Sequence, residues 1–163
     1  MTRWPALRDI VTSVLLAAAV VAAGCEDDSK RPPLTVVGGG FIFNYRAASA
    51  YYGVSVKLAR AMPKGTVIEV QFEDPSGGPA VRVSETVTDE RRGYALETPP
   101  LRGVVAGRDY LVVVHLKEAE TGREIYRLEH RVHSELDQDV LPEKPLTVGP
   151  GYTPNPDSRY SKP

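Results

Sequence analysis

Cys25 is the only cysteine in this 163-residue chain, and its three histidines are His115, His130 and His133. A thiol offers nucleophilic attack, metal ligation or thioether chemistry, while imidazoles offer proton transfer and transition-metal ligation. With no second cysteine, no intrachain disulfide can form. The histidines are poorly spaced to share an ion. His130 and His133 stand three residues apart, which along a strand places their side chains on opposite faces, about 10 Å from one another. They cannot chelate together without a bulge. His115 could neighbour either of them across a hairpin, but no third ligand is evident and zinc takes three or four. No metal or other cofactor is therefore expected. His130 shares its face with Leu128 and Val132 and reads as a partly buried, hydrogen-bonded residue.

Other candidates for chemistry are equally sparse. Gly38-Gly39-Gly40 lacks the Lys and Ser or Thr of a phosphate loop and precedes a strand, so it reads as a flexible lead-in or a bulge. Ser49, Ser84 and Ser134 lack the strand-to-helix elbow that exposes a nucleophile. The acid pairs Glu73-Asp74 and Asp137 with Asp139 fall at turns, where they are simply solvated; the second pair could at most ligate calcium weakly. No catalytic constellation emerges, and the chain is expected not to be an enzyme.

The elements that would position these residues follow a period of two. Phe41, Phe43 and Tyr45 alternate with Ile42, Asn44 and Arg46, and Val54, Val56 and Leu58 alternate with Ser55, Lys57 and Ala59. Met62-Pro63-Lys64-Gly65 turns the chain into Ile68, Val70 and Phe72. Asp74-Pro75-Ser76-Gly77-Gly78-Pro79 then predicts a turn into an antiparallel strand whose Val81, Val83 and Val87 face inward. Tyr94 and Leu96 form a short strand stopped by Pro99-Pro100. Tyr110 to Leu116 is nearly all apolar, as expected of a central strand covered on both faces. Glu120-Thr121-Gly122 turns it into Tyr126, Leu128, His130 and Val132. The only helical signal, Ala47 to Ala50, amounts to one turn. The expectation is an all-β, antiparallel sandwich of about seven strands.

Beyond residue 136, Pro142, Pro145, Pro150, Pro154 and Pro156 predict an extended, polyproline-like segment. Val140, Leu141, Leu146, Val148 and Tyr152 are more apolar than a disordered tail needs, so this segment is expected either to pack on the sandwich or to dock on a partner. Residues 157–163 read as a disordered end.

At the other end, Arg3 and Arg8 precede an uncharged run from Ile10 to Ala23, too short for the roughly 20 apolar residues of a membrane-crossing helix. Ala22-Ala23-Gly24-Cys25 follows. This arrangement resembles the lipobox signal of bacterial lipoproteins. The resemblance implies a diacylglyceryl thioether on Cys25, cleavage before it, and a mature chain beginning there. A single acyl chain anchors a protein only reversibly, so stable residence rests on the two or three chains such a modification supplies. Glu26 stands where an Asp would resemble an inner-membrane retention signal, which favours the outer membrane. The expected organisation is a signal peptide at 1–24, an acylated tether at 25–36, the β-sandwich at 37–136 and a Pro-rich extension at 137–163.

Within the sandwich, Leu101 to Val114 is similar to the corner of immunoglobulin-like fibronectin type III domains, where a Leu, a Gly-containing turn and a Tyr precede alternating valines. That resemblance implies that the Tyr110 hydroxyl bonds nearby backbone. Trp4 lies in the signal and there is no cysteine pair, so the antibody-type core is excluded.

Removing residues 1–24 takes Arg3, Arg8 and Asp9 from totals of 20 basic and 21 acidic side chains, leaving 18 and 20. This near neutrality gives no basic surface for nucleic acid. The expectation is a non-catalytic envelope protein, held to the membrane by Cys25 and facing the periplasm, that binds another envelope protein. Tyr45, Tyr51, Tyr52 and Tyr94 are candidates for interface anchors or for core. The alternative is a periplasmic small-molecule or metal binder using His115, His130 and nearby tyrosines such as Tyr51 and Tyr52.

Overall fold

In the computed structural model, residues 31–158 are described, so Cys25 and its neighbours lie outside the described residues. Alternation of apolar and polar side chains gives seven long strands in two antiparallel sheets. These are β1 (Leu34–Asn44), β2 (Ser49–Leu58), β3 (Val67–Phe72), β4 (Val81–Thr86), β5 (Gly93–Glu97), β6 (Arg108–Lys117) and β7 (Glu124–Ser134). One sheet has the order β1-β2-β5 and the other β4-β3-β6-β7. The fold is thus an all-β sandwich. Because β4 pairs with β3 and not with β5, the division of strands differs from the constant-type immunoglobulin arrangement.

The inner faces meet along the expected periodicity. Tyr52, Val54, Val56 and Leu58 of β2 and Tyr94 and Leu96 of β5 oppose Ile68, Val70 and Phe72 of β3 and Tyr110, Val112, Val114 and Leu116 of β6. Each fully buried aliphatic or aromatic side chain contributes about 1.5–3 kcal/mol by leaving water. β6 lies between β3 and β7. Its outward-facing Val113 and His115 are buried as well, so the central strand is covered on both faces.

The turns follow their residues. Gly65 and Gly122 adopt φ of +82° and +66°, which glycine tolerates without strain. Asp74 Oδ1 accepts the Ser76 N–H at 2.9 Å, closing an Asx-turn between β3 and β4. The Tyr110 hydroxyl accepts the Val105 N–H at 2.8 Å, the backbone bond implied by the corner resemblance.

Two local expectations are corrected. Residues 45–48 form a hairpin turn with Ala48 at φ +50°, so the anticipated helical turn at Ala47 to Ala50 is absent and Ala50 is buried in β2. Asn44 Oδ1, accepting the Ala47 N–H at 3.1 Å, stabilises the hairpin instead. β1 begins at Leu34, before the glycine triplet, and Gly38 to Gly40 pair with Ser55 to Gly53. The irregularity falls between Val36 and Gly38, leaving Val37 exposed. A Cβ on Gly39 would lie 3.0 Å from the Gly53 carbonyl and 3.2 Å from a Val132 methyl, so glycine here lets β1 approach both β2 and β7.

Alternating strand direction divides the loops between two poles. The chain enters at the pole of Leu34, beside the β2–β3, β4–β5 and β6–β7 connections. The opposite pole carries the β1–β2, β3–β4 and β5–β6 connections and the extension after β7. An 11-residue strand such as β1 separates them by roughly 35 Å.

Candidate interaction surface

The three histidines do not converge. In the β6–β7 ladder His115 faces Arg127, His130 faces Val112 and His133 faces Asp109. His130 is half-buried on the core side of the sheet, whereas His115 and His133 point outward and lie six residues apart along the ladder. The expected closeness of His115 to His130 or His133 is therefore corrected. The position of the β6–β7 turn sets His115 opposite Arg127, three positions along the ladder from His130 and six from His133, and the register shift between Leu116 and Lys117, which leaves Ile125 without a partner, puts His115 and His130 on opposite faces. Among the described residues no three His, Cys, Asp or Glu side chains gather as a metal site.

His115 has the most unusual surroundings of the three. Its Nδ1 lies 2.5 Å from Glu124 Oε2, within hydrogen-bond distance. Its Nε2 is buried with no hydrogen-bond partner among the described residues. Glu69 sits opposite on β3, held 2.8 Å from Lys117 Nζ. That hydrogen bond keeps the Glu69 carboxyl below the usual carboxylate range.

The tyrosines separate into core and surface. Tyr52 is fully buried, stacks on Phe41 with ring centroids 4.4 Å apart, and donates to the Glu73 carbonyl at 2.6 Å. Burial pushes its hydroxyl well above the usual phenol range, and the Glu73 carboxylate adds to this. Tyr94 is likewise buried, its hydroxyl accepting the Thr88 N–H at 3.0 Å. Neither presents a contact surface. Tyr51, opposite Ile42 on the outer side of β2, is half-buried. Tyr45 remains exposed in the β1–β2 turn.

The surface that does assemble lies at the pole opposite Leu34. The Pro-rich extension is held there at two points. Ala106 N–H donates to Asp137 Oδ1 at 2.7 Å, and Gln138 exchanges bonds with Val104 while its Nε2 donates to the Leu101 carbonyl at 2.9 Å. The chain then makes a single 3-10 turn at Gln138–Val140 and a short hairpin of β8 (Thr147–Val148) and β9 (Thr153–Pro154). Asn155 fastens this hairpin: its N–H donates to the Leu146 carbonyl and its Nδ2 to the Pro145 carbonyl at 2.7 Å. The Arg46 guanidinium lies 4.3 Å from the Tyr152 ring centre, joining the hairpin to the β1–β2 turn.

Apolar side chains remain uncovered at this pole. Of nine exposed large hydrophobic residues among those described, six are here: Tyr45, Val105, Leu136, Val140, Val148 and Tyr152. Between Tyr45 and the extension runs a groove of about 940 Å³. It is lined by Val140, Leu141, Pro142 and Leu146 and by Asp139, Glu143, Lys144, Asp157 and Ser158. Sequence reasoning singled out the apolar residues of the extension but gave no role to Gln138, Asn155 or Arg46. Their partners are distant in sequence or set by turns with no periodic signature.

No helix among the described residues is long and apolar enough to cross a membrane. No protein-family model matches the chain, and no curated protein matches it significantly.

Proposed function

We propose that this chain is a lipid-anchored protein of a bacterial cell envelope whose sandwich is a non-catalytic interaction module facing the periplasm. The observation that carries the interaction role is the concentration of exposed apolar side chains at the pole opposite Leu34. A hydrophobic cluster on an ordered surface, rimmed by charge, suits protein contact better than solvation. The anchor is supported by Ala22-Ala23-Gly24-Cys25 after an uncharged run. Residues 26–33 are charged and end in Pro32-Pro33, a composition that suits a tether between such an anchor and the sandwich. Glu26 after the cysteine favours residence in the outer membrane.

The experiment is intact-mass and fractionation analysis of the full-length gene product and its Cys25→Ser variant. The reading expects a mature wild-type chain starting at Cys25, carrying a lipid mass and sedimenting with membranes, and a variant lacking that mass. An unmodified wild-type chain that retains Met1 and stays in the cytosol overturns it.

A further inference from the structure

We infer that the groove between the β1–β2 turn and the C-terminal extension binds an extended peptide segment of a protein partner, one carrying cationic side chains beside apolar ones. This rests on the interaction reading above and names the chemistry of its partner. The first argument is shape and lining. Val140, Leu141 and Leu146 contribute apolar surface along a groove of about 940 Å³ that is open to solvent. Pro142 stands in the same wall and has no N–H to donate, so at that point the wall is poorly suited to extend a β-ladder to an incoming strand. Affinity must come from side-chain contact, as in grooves that take polyproline-like peptides.

The second argument is charge. Asp139 and Asp157 line the groove, beside the oppositely charged neighbours Glu143 and Lys144. No salt bridge engages Asp139 or Asp157 among the described residues. Such a lining repels an acidic segment and attracts a basic one, so charge selects the partner while the apolar side chains hold it. The third argument is order. Gln138 and Asn155 fix both ends of the groove's wall to backbone carbonyls, which lowers the conformational cost of binding.

The test uses the full chain in mild detergent and two fluorescent peptides of equal length built on a Leu-Pro-Val core, one flanked by lysines and the other by glutamates. Anisotropy titration at low salt is expected to favour the lysine peptide by about tenfold, the scale of a well-placed charge pair. The preference should shrink in Asp139→Asn/Asp157→Asn, which leaves the apolar side chains of the groove intact, and in raised salt. Leu146→Ser should weaken the lysine peptide without abolishing its preference. Equal binding of the two peptides, no binding of either, or a preference unchanged in the double Asn variant overturns the inference. A partner still crosslinked at Tyr152 in cells would then leave the interaction reading standing. Absence of any such partner would end that reading instead.

Discussion

The Gln138 N–H donates to the Val104 carbonyl at 2.9 Å while the Val104 N–H donates to Gln138 Oε1 at 3.3 Å. One residue of the extension thereby closes a reciprocal lock on the loop between β5 and β6. It converts a Pro-rich tail into part of the sandwich's surface, and everything proposed for that pole depends on it.

Gln138→Ala breaks the side-chain half of this lock together with the bond to the Leu101 carbonyl. The expected loss is about 1–3 kcal/mol, the usual cost of unmade part-buried hydrogen bonds. Hydrogen exchange should accelerate in residues 138–148 while β3 and β6 keep their protection. Equal acceleration throughout would show that the extension is no separable unit.

Tyr110→Phe removes the hydroxyl that accepts the Val105 N–H but keeps the ring, whose centre lies 5.1 Å from that of Phe41. Denaturant unfolding should show a loss of about 1 kcal/mol. Tyr110→Ala should lose about 3–5 kcal/mol through the cavity it leaves. A similar cost for both variants would place the value of Tyr110 in its hydroxyl alone.

How far could these relationships be foreseen? The strands were legible because alternation at Val54, Val56 and Leu58, or at Ile68, Val70 and Phe72, has one physical cause: a face that must be buried. The Tyr110 corner was legible from a local motif. The start of β1 was not, since Gly38 to Gly40 carry no side chains to display a period. Tyr52 and Tyr94 could not be assigned to core or surface, because a phenol suits either. The register of His115, His130 and His133 was hidden in the unpaired Ile125, which shifts the pairing by one residue. The extension's hairpin depends on Asn155 reaching backbone across Pro-rich chain, a contact no periodicity announces.

Because His115 and His130 stand on opposite faces of one sheet, His115→Ala and His130→Ala should act independently. Their combined effect on unfolding free energy should equal the sum of the singles within about 0.3–0.5 kcal/mol. Coupling well beyond that, or coupling that appears only with added zinc, would contradict the separation.

Glu69 is held below the ordinary carboxylate pKa of 4.5, first by its hydrogen bond from Lys117. Its folded-state pKa is lower than its unfolded one, so its stabilisation is complete above about 4.5 and is lost as pH falls through the folded value. Stability measured against pH should decline less steeply on the acid side in Glu69→Gln than in the wild type. Superimposable acid limbs would show that the Lys117 bond does not distinguish folded from unfolded chain.

The most direct test is photo-crosslinking of the full-length protein in cells, with a reactive residue at Tyr152 on the extension and, as a control, at Lys64 near the pole of Leu34. The account predicts a discrete partner adduct from Tyr152, weakened by Gln138→Ala, and none of that mass from Lys64. The same adduct from both positions, or none from either, would contradict a docking surface at the extension's pole.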